Sequence, residues 1–561
     1  MNKNRSLKNL GLTLLMVFMS IQLLVAQNDN NFEIAKNLDI YATLIKELNT
    51  NYVDDISPGE LTKTGIDAML KTLDPYTVYI SEAEVEDYKF ITTGQYGGIG
   101  ALIQKQGEKI VIAEPYEGKP AHLNGLKAGD RILEVDGKPV DGKNTEEVST
   151  LLKGQPGTTV TVKFERPGKE EPFVKELERK NVKIDNIPYY GMVGDDVGYV
   201  KLSGFTQKAG EEVKEAFNEL IEKNELNGLI LDLRGNGGGL LQEAVSITNL
   251  FIPKGEVVVS TKGKLASKNF TYKTNNAPMD TDIPLVILVD GTSASASEIV
   301  AGAIQDHDRG VIIGQTTFGK GLVQNVIPLS YNSQAKITVA KYYIPSGRCI
   351  QEIDYSKKDS NGNSVKAPDS IADAYKTRNG RVVYDRHGIE PDITINDDTL
   401  SNISYALLSK HLFFDFATRF VLENDEIAEP DQFEVTERIF NDFVAFINEE
   451  GYEYTTKSEE TLKKLKSHAK DEHYFEFIKD DYAALVAKIE SNKKDDINLH
   501  KEEIKKILKL EIVSRYYFQR GKIIASLTED SSIEKALNII HSKDSYLAIL
   551  EGADEQGSTK N

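Results

Sequence analysis

The sequence has little of the residue types that build metal centres and disulfide frameworks. Cys349 is the only cysteine among 561 residues, so no intramolecular disulfide can form. Tryptophan is absent, and the 8 histidines form no cluster with cysteine or carboxylate residues at metal-ligand spacing. We therefore expect no metal and no other cofactor, and we expect stability to come from hydrophobic cores.

The chain also lacks an excess of positive charge. Lys+Arg number 67 against Asp+Glu 87, which gives a net charge of -20, and no local basic patch compensates. Such a surface repels nucleic acid and anionic membranes, so neither is an expected partner.

Long apolar runs are absent except at the N-terminus. Residues 1–26 join a basic start to an apolar run from Leu10 to Ala26, which predicts a secretory signal peptide. We expect export to the periplasm or another extracytoplasmic envelope space. An uncleaved signal remains open and would be the only membrane attachment.

The remaining chain divides by its hydrophobic pattern. Residues 27–90 show helical spacing broken at Ser57-Pro58-Gly59 and form an N-terminal helical segment. Residues 91–181 alternate as in a small β-rich module, with one helix from Asn144 to Lys153. Residues 182–398 alternate apolar strands with helices, which predicts an α/β domain. Residues 399–561 are poor in Gly and Pro and form a helical C-terminal domain.

Three serines follow the buried strand PLVILVD in the stretch DGTSASASEIVAGAIQD. A helix is predicted to begin near Ser295, where free N–H groups and the positive end of the helix dipole could hold an oxyanion. Ser293 is the more natural cap, and Ser297 lies inside the helix. Capping is the alternative to catalysis for each of the three.

A base for Ser295 is easier to find among the lysines than among the histidines. His307 lies about three turns along the same helix, which is poor geometry for a Ser-His-Asp triad. Lys320 stands between two glycines in TTFGKGLVQ. A lysine is a general base only when burial lowers its pKa, and Phe318, Leu322 and Val323 could supply that burial.

These motifs carry a family resemblance. TSASASEIVAGAIQD, TTFGKGLVQ, LILDLRGNGGGL, YYIPSGRCIQ and HGIEPDI occur in the order found in carboxyl-terminal processing (tail-specific) serine peptidases, which the chain resembles from about residue 31 to 395. The resemblance implies a mixed-sheet α/β core of the crotonase/ClpP-like type with an inserted PDZ domain. It also implies a Ser-Lys dyad that hydrolyses peptide bonds through an acyl-enzyme.

The resemblance assigns roles to individual positions. It makes Ser295 the nucleophile, Lys320 the general base and Gln324 the residue that orients the lysine. Four residues of strand would span about 13 Å, so the glutamine role requires a turn or helix after Lys320. The oxyanion would be held by the Ala296 amide and by a glycine amide in Gly237–Gly239, for which we choose Gly238.

Three further charged residues are expected to have structural roles. Asp306, which matches a functionally sensitive aspartate in some relatives, is expected to satisfy nearby backbone or Arg309. Asp232 and Arg234 are also expected to be structural.

The segment QYGGIGALI resembles the carboxylate-binding loop of PDZ domains. It would capture the C-terminus of a protein substrate through backbone N–H groups while the substrate adds as a strand. The residues of this predicted binding loop are Tyr96, Gly97, Gly98, Ile99 and Gly100.

Alternatives to an exported tail-specific endopeptidase remain. A catalytically idle PDZ adaptor that binds protein tails would need neither Ser295 nor Lys320. Ser-x-x-Lys sequences at residues 333–336, 467–470 and 491–494 lack the accompanying motifs of β-lactam-directed acyltransferases. The C-terminal helices could bind an adaptor or support self-association.

Overall fold

The computed structural model describes residues 31–359, 362, 364–366, 372–395, 400–452 and 454–552. One compact unit comprises the described residues up to Glu82 together with Gln324–Thr338, and a second comprises Ala83–Val323 and the described residues from Val339 onward. The signal peptide predicted for residues 1–26 lies outside the described residues. Within the described residues, no helix combines the length and apolar character needed to cross a bilayer.

The described part of the chain contains the following helices and strands. The α-helices are α1 (31–51), α2 (Pro58–Lys71), α3 (Val85–Thr93), α4 (Pro120–Leu123), α5 (Thr145–Leu152), α6 (Ala209–Lys223), α7 (Leu241–Thr248), α8 (Ala296–Asp306), α9 (Asn402–Ser409), α10 (Leu412–Glu423), α11 (Glu437–Glu449), α12 (Lys457–Asp471), α13 (Phe475–Leu499), α14 (Lys501–Leu527), α15 (Ser531–His541) and α16 (Lys543–Glu551). The strands are β1 (Val78–Ile80), β2 (Gln95–Gly98), β3 (Ala101–Gln106), β4 (Lys109–Pro115), β5 (Arg131–Val135), β6 (Lys138–Pro139), β7 (Thr159–Glu165), β8 (Phe173–Glu178), β9 (Lys180–Lys183), β10 (Tyr189–Val193), β11 (Val197–Lys201), β12 (Gly228–Asp232), β13 (Val257–Gly263), β14 (Phe270–Lys273), β15 (Leu285–Val289), β16 (Val311–Gly314), β17 (Leu322–Pro328), β18 (Gln334–Tyr343), β19 (Ile353–Lys358), β20 (Ser364–Lys366), β21 (Ala374–Lys376), β22 (Val382–Tyr384) and β23 (Ile393–Thr394).

The first unit contains α1, α2 and β1 with the hairpin of residues 324–338. The sequence break at Ser57-Pro58-Gly59 is where α2 begins: Ser57 is its N-cap, and Pro58 occupies the first turn, where its missing N–H costs no hydrogen bond. Strand β1 pairs antiparallel with the start of β18, with Tyr79 opposite Ala335.

The β-rich module lies in the second unit and is built on an antiparallel sheet of order β3-β4-β5-β7-β8, with β6 paired to β5. Helix α5 begins as the sequence predicts, because Asn144 accepts from the Glu147 N–H and the Glu147 carboxylate accepts from the Asn144 N–H. Strand β3 is at one edge of this sheet. The position leaves its outer side open to an added strand.

The α/β part of the second unit is a six-stranded sheet of order β10-β11-β12-β15-β16-β23. Strand β10 is antiparallel to β11, and the other pairs are parallel. Apolar residues of α6, α7 and α8 form one core with the sheet, which includes Phe217, Ala244 and Val300. The carboxyl ends of β12 and β15 therefore lie side by side, each followed by a loop and a helix.

Helices from the end of the chain form a second core with the same sheet. Ile533, Ile540 and Tyr546 of α15 and α16 join Tyr199 and Val286 in one buried cluster. The Tyr546 hydroxyl accepts from the Leu285 N–H at 2.9 Å. A parallel sheet needs cover on both faces, so these helices pack as part of the α/β domain, whereas the sequence pattern placed residues 399–561 in a separate helical domain.

Helices α9 to α11 and the first part of α14 build a further core rich in phenylalanine. Helix α14 is interrupted at Phe518, which has φ 53° and ψ -159°. Beyond this kink, Ile523, Ile524 and Leu527 pack against the second core of the α/β sheet. One helix thus links the C-terminal helical region to the α/β domain.

Candidate active site

The three serines of the motif differ in what their side chains contact. The Ser293 hydroxyl donates to the Leu233 carbonyl at 2.9 Å, and the Ser297 hydroxyl donates to the Asn236 carbonyl at 2.8 Å. Both residues are fully buried, whereas Ser295 is half-buried. Ser293 and Ser297 therefore fasten the turn to the neighbouring glycine loop, and Ser295 is the serine that an external group can reach.

The backbone of Ser295 is strained. The residue is the N-cap of α8 with φ 57° and ψ -110°, a conformation that costs a residue with a side chain on the order of 1–3 kcal/mol. Ser293, the cap expected from the sequence, instead accepts from the Asp290 N–H through its hydroxyl. Strain of this kind persists only where the surroundings hold the residue in place.

Glu298 provides that restraint. The only sign of this role in the sequence is its position three residues after Ser295, where a capping box has a glutamate. Its Oε2 accepts from the N–H of Ser295 at 2.8 Å and from the N–H of Lys320 at 2.9 Å. One oxygen thus brings the two backbone nitrogens to within about 6 Å of each other, because the two bond lengths limit their separation. The structure brings together the two residues that the sequence singled out.

The other carboxylate oxygen of Glu298 holds the residues that precede Lys320 in the chain. Oε1 accepts from the Thr317 hydroxyl at 2.6 Å and from the Gly319 N–H at 2.7 Å. The side chain is completely buried, and burial raises the pKa of Glu298 to about 7 against the lowering effect of these donors. The result is a buried carboxyl group that joins the serine turn to the lysine loop.

Tyr342 joins the same two residues from the carbonyl side. Its hydroxyl contacts the carbonyl oxygen of Ser295 at 3.2 Å and also the carbonyl oxygen of Lys320. The tyrosine is buried within β18. Glu298 thus binds the backbone N–H groups of Ser295 and Lys320, and Tyr342 contacts their carbonyl oxygens.

The surroundings of Lys320 differ in part from the expectation. Leu322 is buried and Val323 packs against the main core, as predicted. Phe318 is 42% exposed and is the least buried of the three apolar neighbours. Lys320 itself is half-buried.

Gln324 lies in strand β17, and its side-chain amide donates to the Thr338 hydroxyl at 3.3 Å. Strand β17 begins at Leu322, so the turn or helix that the orienting role requires after Lys320 is not present. The role of Gln324 as an orienting group for the lysine stays a prediction.

The glycine loop after β12 touches the nucleophile turn. The Ala294 N–H donates to the Asn236 carbonyl at 3.1 Å, and a Cβ atom on Gly238 would lie 2.8 Å from Ser295 Cβ and 2.9 Å from the Ala296 nitrogen. Gly238 has φ +96°, so both its backbone and its surroundings require glycine.

The backbone N–H groups of this loop differ in their partners. The Gly238 N–H, chosen from the sequence as an oxyanion donor, donates to Asn236 Oδ1 at 2.9 Å and is engaged in this arrangement. The N–H groups of Ala296 and Gly237 donate to no acceptor among the described residues. Ala296 keeps a free donor because the first turn of a helix has no earlier carbonyl to bind.

Asp306 is buried at the other end of α8. It forms an ion pair with Arg348 at 2.9 Å and accepts from the Ser346 N–H at 2.8 Å. Arg309, the partner suggested from the sequence, instead donates to the carbonyls of Phe251 and Ile283. The supporting role expected for Asp306 is present, but with a different arginine.

Tyr96, Gly98 and Ile99 of the predicted carboxylate-binding loop line a groove of the β-rich module with a volume of about 310 Å³, whereas Gly97 and Gly100 do not line it. Tyr96 and Gly97 are half-buried, and Gly98, Ile99 and Gly100 are buried. The opposite wall comes from α5, with Thr145, Ser149 and Leu152. The groove runs between the open edge of β3 and this helix, which is the geometry needed for an added peptide strand.

Lys153 and Tyr96 lie next to each other in the lining of the groove. Lys153 forms an ion pair with Asp87 of α3 at 2.7 Å, and its Nζ lies 5.8 Å from the centre of the Tyr96 ring.

Among the described residues, no group of three or more His, Cys, Asp or Glu side chains could hold a metal ion.

Three family models match the chain. The model of peptidase family S41 matches residues 196–357, a PDZ domain model matches residues 111–166, and the model described as probable PDZ-protease, C-terminal helical domain, matches residues 403–540.

Curated relatives match over about 310 to 340 residues. The Carboxy-terminal-processing protease of Bartonella bacilliformis is 36% identical over 344 residues, which cover 60% of this chain and 79% of that protein. Carboxy-terminal processing protease CtpB of Bacillus subtilis is 31% identical over 320 residues, covering 56% of this chain and 66% of that protein. A probable CtpA-like serine protease of Staphylococcus aureus is 35% identical over 317 residues, covering 56% of this chain and 62% of that protein.

Solved structures are also similar. A photosystem II D1 C-terminal processing protease is 27% identical with a TM-score of 0.35, over 64% of this chain and 93% of that one. The PDZ domain of a carboxy-terminal protease from Vibrio cholerae, in complex with peptide, is 30% identical with a TM-score of 0.16, over 16% of this chain and 99% of that one.

The matched models define the class of protein, which is a serine protease with a PDZ domain and a C-terminal helical domain. The chain belongs to the carboxy-terminal-processing proteases of peptidase family S41.

Proposed function

We propose that this chain is an exported endopeptidase that binds the C-termini of protein substrates in its PDZ groove and cleaves them with a Ser295–Lys320 dyad. The observation that supports this most is the shared anchoring of the two residues by Glu298, whose Oε2 binds both backbone N–H groups. An adaptor that only binds tails would have no need of a strained serine held beside a lysine.

In the proposed reaction, the Lys320 amine is uncharged and accepts the proton of the Ser295 hydroxyl as Oγ attacks the scissile carbonyl carbon. The resulting oxyanion accepts from the Ala296 N–H and from a backbone N–H of the glycine loop. Because the Gly238 N–H is already engaged, Gly237 is the better candidate in this arrangement, and a peptide shift that frees Gly238 would restore the original assignment.

Collapse of the tetrahedral intermediate breaks the C–N bond. The leaving amine takes its proton from the Lys320 ammonium, which returns the lysine to its uncharged form. A water molecule then attacks the acyl-enzyme while Lys320 accepts its proton, and the Ser295 hydroxyl is regenerated with release of the new C-terminus. In this scheme, Gln324 orients the lysine, as the family resemblance implies.

Substrate selection is proposed to take place in the groove beside β3. Backbone N–H groups of residues 96–100 would bind the terminal carboxylate, and the substrate would extend β3 as an edge strand. We also propose that the α/β core belongs to the crotonase/ClpP-like group and that residues 1–26 direct export. Binding of an adaptor or of a second copy through the C-terminal helices is retained as a proposal.

Cleavage of an unfolded protein by the purified chain tests this function. We expect casein to be cleaved by the unmodified protein and not by Ser295→Ala or Lys320→Ala. Lys320→Arg should also be inactive, because a guanidinium does not give up its proton in this pH range. Ser467→Ala is the matched control, since this exposed serine belongs to a chance Ser-x-x-Lys sequence in α12. Equal cleavage by the Ser295→Ala protein would refute the dyad and favour a different hydrolytic site.

A further inference from the structure

Asp530 connects the C-terminal helical region to the glycine loop of the active site. The residue stands between α14 and α15, and its Oδ2 lies 2.7 Å from Nη2 of Arg234. Its Oδ1 caps α15 by accepting from the N–H groups of Ser532 and Ile533. Oδ1 therefore binds within the helical region, and Oδ2 binds the α/β domain.

Arg234 is held by a second carboxylate on the sheet itself. Its Nη2 donates to Asp232 Oδ2 at 2.7 Å, and its Nε donates to Oδ1 at 3.1 Å. Lys201 also approaches Asp232 Oδ1, at 3.1 Å. Burial raises the pKa of Asp232, but Arg234 and Lys201 outweigh it and lower the pKa to about 2.

The charges around Arg234 balance only when Asp530 is included. Asp232 is 1% exposed and faces two cations, Arg234 and Lys201. Asp530, 14% exposed at its side chain, supplies a second anion to Arg234. Without it, the arginine and the lysine would share one buried carboxylate, and like charges in a poorly solvated site repel each other.

The loop that begins with Arg234 contacts the nucleophile turn through hydrogen bonds. The Arg234 carbonyl accepts from Lys201 Nζ at 2.7 Å, and the next N–H, that of Gly235, donates to Asp290 Oδ2 at 2.9 Å. At the residue after Gly235, the Asn236 carbonyl accepts the hydrogen bonds from the serine turn. A displacement of Arg234 would therefore be passed to Gly235–Gly239.

We propose that Asp530 is a positioning residue of the peptidase: it fixes Arg234, and through it the glycine loop that supplies an oxyanion donor. The C-terminal helical region is then required for catalysis as well as for covering the sheet. This inference rests on the proposed function of the loop at Ser295.

The cap and the ion pair can be separated by substitution. Asp530→Ser keeps a side-chain oxygen for the α15 cap and loses the contact with Arg234, and Asp530→Asn keeps the cap and loses the negative charge. Thr436→Ala is the matched control, because Thr436 caps α11 in the same region by accepting from the Ile439 N–H. It removes a cap without touching the α/β domain.

We expect both Asp530 variants to lower the kcat for casein cleavage by about tenfold with little change in KM, because misplacement of a preorganised oxyanion donor acts on the transition state. Thr436→Ala should lower the melting temperature and leave kcat unchanged. Unchanged kcat in both Asp530→Ser and Asp530→Asn would overturn the inference.

A second measurement does not depend on cleavage. Hydrogen–deuterium exchange of the peptide segment 228–242 should be faster in Asp530→Ser than in the unmodified protein, and unchanged in Thr436→Ala. If the unmodified protein proves inactive, the proposed function fails while faster exchange still supports the coupling. If the unmodified protein cleaves casein but exchange and kcat are both insensitive to Asp530, only the positioning role fails.

Discussion

Replacement of Glu298 by glutamine tests how the dyad is held. The amide has nearly the size of the carboxyl group but offers one acceptor oxygen, whereas the carboxylate accepts from four donors. If the amide oxygen faces Ser295 and Lys320, the NH₂ group faces the Gly319 N–H. If the amide is reversed, the NH₂ group faces the two dyad N–H groups. Either orientation sets donors against donors.

The stability effect of Glu298→Gln depends on pH in a defined direction. The pKa of Glu298 is raised from 4.5 to about 7, so the folded protein holds this proton more tightly than the unfolded chain does. The unmodified protein therefore loses stability as the pH rises from about 4.5 to about 7, by up to about 3 kcal/mol, and the contribution is constant above that range. Glutamine resembles the protonated acid and shows no such change.

We accordingly expect the melting temperature of the unmodified protein to fall relative to that of Glu298→Gln as the pH rises from about 4.5 to about 7, on top of a pH-independent loss of stability that the facing donors cause in the variant. The variant should nevertheless have a kcat lower by about tenfold or more, because the relative position of Ser295 and Lys320 is no longer fixed from both sides. Calorimetry across this pH range and casein cleavage at pH 8 measure the two effects. Glu211→Gln, on the exposed face of α6, is the control for general loss of charge.

A difference in melting temperature that moves in favour of the unmodified protein between pH 4.5 and pH 8 would refute this reasoning. That result would mean that the four donors outweigh burial and lower the pKa of the carboxyl group. Unchanged turnover would show that the carboxylate has no part in positioning the dyad.

Three further substitutions test separate parts of the account. Gly238→Ala places a Cβ atom 2.6 Å from the Ala294 carbonyl oxygen and should abolish cleavage in a protein that still folds, as circular dichroism can check; full activity would show that the loop has room to move. Gly100→Ala, with φ +73° and a Cβ 2.4 Å from Lys119 Cβ, should distort the binding loop and weaken affinity for a tail peptide in calorimetry, whereas unchanged affinity would locate tail binding elsewhere. Tyr546→Phe leaves the buried Leu285 N–H without its acceptor and should lower the free energy of unfolding by roughly 1–3 kcal/mol in urea titrations, with kcat unchanged; no loss of stability would contradict the assignment of α16 to the core.

The sequence allowed a good prediction of the α/β part, and it singled out Ser295 and Lys320, whose role as a dyad stays a prediction. Continuous apolar runs such as residues 285–289 mark buried parallel strands, and the strand PLVILVD was predicted where the structure has β15. Ser295 and Lys320 could be selected because each stands in a run of small or flexible residues after such a strand. That selection depends on short-range patterns, which a sequence shows directly.

The contacts that hold the site could not be predicted in the same way. Glu298 and Tyr342 reach residues 22 positions or more away, and Arg348 rather than Arg309 pairs with Asp306. Such contacts depend on how segments that are distant in the chain pack together, and the local sequence pattern does not show this packing. The same reason explains why α15 and α16, amphipathic like the other C-terminal helices, were not recognised as cover for the second face of the sheet.

The central claim is that an uncharged amine at position 320 accepts the proton of the Ser295 hydroxyl. The most direct measurement is the pH dependence of kcat/KM for a protein in which Lys320→Cys, in a Cys349→Ser background, is alkylated with 2-bromoethylamine to give a lysine analogue of lower pKa. The account predicts that alkylation restores cleavage to the inactive cysteine protein and that the ascending limb of the profile moves to lower pH than in the Cys349→Ser protein. Equal cleavage before and after alkylation, or an ascending limb that does not move, would contradict it.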